Sequence, residues 1–249
     1  GLYTVHGGFI DYTNDGLGII SFSNELWSND HYFTSPALKE QQQDPSSPIA
    51  PAQSRYYFDR YLEFGDQFVE WAPFDHPQFG PVEMGGVWKK TQGRVPPRFM
   101  NEELCHRNMA FSLYQADQMP LVGLGATEVE RIGGDVHRVY IDLVNSRVAP
   151  TIMARAAQNG TVRPDLLLVE GKGAKVLAAS FVDNKTVHKA NPSVTPLVDQ
   201  KDLERILVRN GLPGKTTRTA VLIIKGSGPV KVTYDSVKGG IASATVTLK

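Results

Sequence analysis

Ala220-Val221-Leu222-Ile223-Ile224-Lys225-Gly226-Ser227-Gly228-Pro229-Val230-Lys231-Val232-Thr233-Tyr234 is the stretch on which the fold class turns. It holds two short apolar, β-branched runs with a glycine turn between them. Branched side chains lose little freedom on a pleated surface, and glycine supplies the turn. The same cadence recurs in both directions. Val136 to Val144, Thr151 to Ala157, Leu166 to Glu170, Lys175 to Val182, Glu204 to Arg209 and Ile241 to Leu248 all have strand character. Asn159-Gly160, Gly171-Lys172-Gly173, Asn210-Gly211 and Gly239-Gly240 divide them. Short strands at regular spacing predict an all-β antiparallel sandwich, immunoglobulin-like or jelly-roll. Glu204 to Arg209 also suits a helix start at Asp202-Leu203. The turns at Gly171-Lys172-Gly173 and Gly226-Ser227-Gly228 lack phosphate-loop spacing and read as hairpins.

Before about Pro120 the chain changes character, with more aromatics, more prolines and irregular spacing. Two domains are expected, 1–122 and 123–249, with the boundary near Met119 to Gly125. Ile19 to Glu25 alternates as a strand, with Ile19, Ser21, Ser23 and Glu25 on one face. Leu38 to Pro51, with Gln41-Gln42-Gln43 and Asp44-Pro45, reads as a polar surface loop. Ser54 to Phe64 carries Tyr57, Phe58, Tyr61, Leu62 and Phe64 at helical spacing, which predicts an amphipathic helix with an aromatic face. Asn101 followed by Glu102-Glu103 can cap a helix running towards Pro120, with the lone Cys105 buried on it.

The 249 residues carry 26 basic and 26 acidic side chains, so no net field favours nucleic acid or an anionic membrane. The apolar runs are too short to span a bilayer. One cysteine excludes an internal disulfide. The six histidines contain no His-x-x-Glu or His-x-x-x-His pair, and His76 with Glu83 reads as part of a proline- and glycine-rich turn. No metal site is expected within the chain.

The opening run carries the chemistry. Tyr3 stands four residues before Gly7-Gly8, Asp11 follows, and Glu25-Leu26 closes the stretch. This pattern resembles, without a gap, the end of the active site of zinc carboxypeptidases of the carboxypeptidase A type. The resemblance covers Tyr3 to Leu26, with weaker continuity to Pro120. It implies that 1–122 is an α/β fragment of a carboxypeptidase-like catalytic domain. Glu25 would be the catalytic general base, and Tyr3 the mobile tyrosine that hydrogen-bonds the substrate near the scissile bond. Ile10 would stand at the base of the pocket for the terminal side chain. An apolar residue there leaves a cationic side chain without a partner, so the implied preference is for apolar or aromatic termini. Phe9 departs from the small residue usual beside it. The family's zinc ligands fall upstream of Tyr3, so zinc is expected in a longer parent, not on this chain, which alone should be inactive.

The implied partners are a peptide substrate, the amino-terminal part of the catalytic domain and, through the surface that part would cover, a second copy of the chain. The family also implies an extracytoplasmic location. The alternative is a non-catalytic sandwich that binds a cell-surface glycan or protein, attached to a peptidase remnant. A third is that the sandwich only stabilises the peptidase domain. Sugar stacking would need exposed aromatics, and the second half has only Tyr140, Phe181 and Tyr234.

Overall fold

A computed structural model of the chain describes residues 6–27, 49–90, 95–192 and 196–249. Most of the expected polar loop, and Tyr3, lie outside the described residues. The chain forms two compact units: the residues up to Ser23 together with Leu113–Lys249, and Asn24–Ser112. Among the described residues no helix is long and apolar enough to cross a membrane.

The structure is dominated by antiparallel sheets. In chain order the elements are α1 (Phe9–Asp11), which runs into a π turn (Tyr12–Gly16), α2 (Ile49–Leu62), β1 (Phe68–Val69), β2 (Ala72–His76), β3 (Gly80–Met84), β4 (Val87–Trp88) and α3 (Asn101–Asp117). Then come β5 (Val122–Gly133), β6 (Val136–Asn145), α4 (Ala154–Asn159), β7 (Asp165–Glu170), β8 (Lys175–Val182), α5 (Lys185–Ala190), β9 (Arg205–Val208), β10 (Thr216–Lys225), β11 (Gly228–Ser236) and β12 (Gly240–Leu248).

The last eight strands make two four-stranded sheets, β5-β6-β10-β8 and β12-β11-β7-β9, with every pairing antiparallel. Because side chains alternate across a strand, Val139, Ile141 and Leu143 of β6 point one way with Ala220, Leu222 and Ile224 of β10. They meet Leu167, Val169, Ile206, Val230, Val232 and Tyr234 of the other sheet in one buried core. On its other face the first sheet buries a smaller cluster, Tyr140, Val182 and Val221.

Seven of the eight strands expected beyond Pro120 are present, β10 being four residues longer than its apolar run. Glu204 to Arg209 is a strand, held by pairing with β7. Thr151 to Ala157 is not: it is a loop leading into α4, which ends at Gly160 in the left-handed conformation. Thr151 instead turns its hydroxyl into the core, where Leu212 N–H donates to it at 2.8 Å. The two glycine turns read as hairpins join different sheets, β7 to β8 and β10 to β11. They pack on each other: Gly226 sits at φ +138°, and a Cβ there would lie 2.8 Å from the Gly173 carbonyl oxygen. A close approach of two backbones, not a hairpin, requires that glycine.

In the Asn24–Ser112 unit, α2 forms close to its expected place, but among its described side chains the buried ones are Ser54, Phe58 and Asp59. Tyr61 is exposed and Phe64 lies beyond the helix, 90% exposed at φ +57°, so the aromatic stripe is not a core face. A 3-10 turn (Arg98–Met100) precedes α3, so Asn101 is already helical rather than a cap. Cys105 is exposed on α3, not buried. His76 and Gly80 pair across the β2–β3 turn, where His76 Nδ1 accepts from Gln78 N–H at 3.1 Å.

Candidate functional site

The Gly-Gly turn and the residues after it are built from local bonds. Gly7 takes φ +69°, and the Gly8 N–H donates to Asp11 Oδ2 at 3.1 Å, which closes the turn into α1. Ile10 is half-buried on α1. Thr13 Oγ1 donates back to the carbonyls of Phe9 and Ile10, at 3.0 and 3.1 Å. The chain then reverses: Ile19 N–H donates to Thr13 O at 2.8 Å and Ser21 N–H to Asn14 Oδ1 at 3.2 Å.

Those last bonds explain why the strand expected from Ile19 to Glu25 does not form. Residues 18–27 have no regular structure, and Asn14 and Thr13 take the backbone partners that a ladder would have used. Glu25 is exposed and belongs to the second unit, so the structure places Ile10 and Glu25 in separate units. Glu25 stands on the wall of a cavity of about 590 Å³, lined with Trp27, Asn101, Leu104, Cys105 and Asn108 among others. The neighbouring Asn24 donates its amide to Asn108 Oδ1 at 3.1 Å, and Asn108 in turn donates to Leu104 O on α3 at 2.8 Å. The polar groups on the cavity wall are thus the Glu25 carboxylate and the amides of Asn101 and Asn108, the last already bonded within the unit. Among the described residues no group of three or more His, Cys, Asp or Glu side chains could hold a metal ion.

Three polar clusters of the two-sheet domain were not foreseen. Asp165, buried at the start of β7, accepts from Thr151 Oγ1 at 2.6 Å and from the Tyr234 phenol at 2.8 Å. Burial and the adjacent carboxylate push the Tyr234 hydroxyl well above its ordinary range. On the outer face, Lys185 of α5 reaches Glu128 at 2.9 Å and Asp142 at 3.3 Å, and Lys189 also pairs with Glu128. These two ammonium groups hold Glu128 down at about 2. Between them His188, 7% exposed, shares a 3.3 Å hydrogen bond with the Tyr140 hydroxyl, and burial pushes its basicity down. Each of these bonds joins segments distant in sequence, which is why periodicity could not reveal them.

With the eight strands in place, the comparison with known families has a structural counterpart. The sequence model of one family matches residues 122–247, the span from β5 almost to the end of β12. The chain belongs to the family described as Domain of unknown function (DUF8731). Comparison with curated proteins and with solved structures finds no match. The DUF8731 domain thus contains the Asp165 and His188 clusters, whereas Ile10 and Glu25 precede it.

Proposed function

We propose that residues 3–26 form the closing portion of a carboxypeptidase A-type active site, carried beside a DUF8731 domain in an enzyme that removes apolar or aromatic residues from peptide C-termini. The ungapped register of Tyr3, Gly7-Gly8, Asp11 and Glu25-Leu26 carries the reading. The turn geometry at Gly7 to Asp11 and the exposed Glu25 on a cavity wall are compatible with it. On this reading the Glu25 carboxylate takes a proton from the water that attacks the scissile carbonyl. It returns that proton to the amine nitrogen as the C–N bond breaks. Tyr3 hydrogen-bonds the substrate beside that bond, and Ile10 lines the base of the side-chain pocket. On this reading the ligands of the zinc that the resemblance implies are none of residues 3–26, and the 249 residues alone are expected to be inactive.

For the DUF8731 domain we infer an immunoglobulin-like arrangement. Lettering β5, β6, β7, β8, β10, β11 and β12 as A to G gives A-B-E-D in one sheet and G-F-C in the other, the order of a constant-type domain, with β9 as an added edge beside C. The rival reading, a glycan-binding module, lacks its usual anchor. Tyr140 and Tyr234 are fully buried, and Phe181 is half-buried beneath Arg218.

The test compares zinc content and hydrolysis of a blocked dipeptide ending in Phe for this chain, for the longer parent and for the parent carrying Glu25→Gln. Zinc and activity in the parent alone, abolished by the substitution, are the expected result. An inactive, zinc-free parent, or chelator-sensitive activity in the 249-residue chain, overturns it.

A further inference from the structure

The same unit that contains the DUF8731 domain also contains the segment up to Ser23, whose π turn and Gly18 pack against α4. Gly18, at φ +62°, presses against α4 and the chain that follows it. A Cβ at Gly18 would lie 2.6 Å from Ala156 Cβ and 2.9 Å from Val162 Cγ2. Both counts exclude a side chain: the backbone conformation is one that L-residues rarely adopt, and there is no space. The Lys238 ammonium, in the β11–β12 turn, donates to the Gly18 carbonyl. It forms no ion pair among the described residues, and burial pushes its basicity down. Arg155 of α4 and Asp15 lie 3.5 Å apart beside it. Around this grip the packing is loose, with a cavity of about 780 Å³ between Leu17, Ile19 and Ile20 on one side and Met153, Val162 and Val237 on the other.

We propose that the surface of the DUF8731 domain formed by Ala156, Val162 and Lys238 is a docking platform for the segment that carries the Gly-Gly turn, and that Gly18 is the key that fits it. A half-buried lysine whose ammonium donates to a backbone carbonyl gives up water for that bond, which ties the carbonyl in place. The cavity beside this contact interrupts the apolar packing of Leu17, Ile19 and Ile20 on the domain. The domain therefore positions residues 6–23 at their carboxyl end, leaving the turn at Gly7 to Asp11 projecting from a fixed base. That the docked segment belongs to a peptidase site rests on the carboxypeptidase reading; the docking itself does not.

The test is amide hydrogen exchange on the full chain, read at Leu17, Ile19 and Ser21, whose N–H groups are bonded within the segment. Gly18→Val and Lys238→Met should each lower protection at these amides by about tenfold or more, with β10 and β11 unchanged. Unchanged protection in both variants overturns the proposal. So does a uniform loss across the sheets, which would make the two residues general stabilisers. Since exchange needs no peptidase activity, a failed peptidase assay with selective exchange rejects only the carboxypeptidase function, and the reverse outcome rejects only the docking.

Discussion

Tyr234→Phe removes one oxygen from the centre of the two-sheet domain, and its consequences can be worked out before any measurement. The phenol donates to Asp165 Oδ2 at 2.8 Å, and Thr151 donates to the same oxygen at 2.6 Å. Asp165 Oδ1 is buried and has no hydrogen-bond partner among the described residues, so the carboxyl already has few donors. A hydrogen bond to such a group is worth about 1.5–3 kcal/mol, because the acceptor left behind stays buried. For a chain of this size that is a fall in Tm of about 4–10 °C. The ring itself is kept, so the core around it loses no volume and no cavity term adds to the cost.

The same substitution makes a second, independent prediction in alkali. The Tyr234 hydroxyl is held above its ordinary value of 10.0, chiefly by burial and then by Asp165. Above pH 10 the unfolded chain releases this proton and the folded chain keeps it. The folded state then binds more protons, and stability falls as pH rises, by about 1.4 kcal/mol per pH unit for this one group. Tyr234→Phe should therefore be less stable than the native chain at pH 8, and the gap should narrow by about 1 kcal/mol between pH 10 and 11. Urea unfolding followed by far-ultraviolet circular dichroism at pH 8, 10 and 11 measures both. A loss under 0.5 kcal/mol at pH 8, or a gap that stays constant into alkali, would refute the account of this cluster.

Three further outcomes are expected. Leu222→Ala, at a fully buried site between the sheets, should cost about 2–5 kcal/mol in urea unfolding, with an unchanged m-value. His188 is kept neutral by burial, with Arg138 adding to the effect, so the hold of α5 should be full above pH 6.5 and weaken as pH falls below it. Amide exchange at His188 and Asn191 should accelerate between pH 7.5 and 5 after correction for intrinsic rates, and His188→Gln should remove that dependence. Glu128, lowered by its bonds to Lys189 and Lys185, contributes above pH 4.5 and loses that contribution as pH falls towards about 2. Because the pair is exposed the effect should be below about 1 kcal/mol, and Glu128→Gln or molar salt should erase it in acid unfolding curves.

How much of this was legible in the sequence depends on where each signal is stored. β6, β8, β10 and β12 carry their signal within themselves, as short apolar, β-branched runs bounded by turn residues, and they were readable. β5 pairs with β6 over most of its length, yet its sequence has Gly123, Gly125, Glu128 and Glu130, two irregularities of register and one buried residue, Val122. No alternation survives in it, and only the partner strand makes it a strand. Ile19 to Glu25 is the opposite case: the alternation is in the sequence, but Thr13 and Asn14 offer nearer partners and the ladder does not form. The candidate site divides in the same way. The order Tyr3, Gly7-Gly8, Asp11, Glu25 is a one-dimensional pattern and is visible without a structure. Gly18 carries no such pattern. Its meaning lies in Ala156, Val162 and Lys238, more than a hundred residues away, and in a backbone angle that only the folded chain reveals. A glycine between Leu17 and Ile19 looks like a weak turn in the sequence; in the fold it is a position where the DUF8731 domain leaves no room for a side chain.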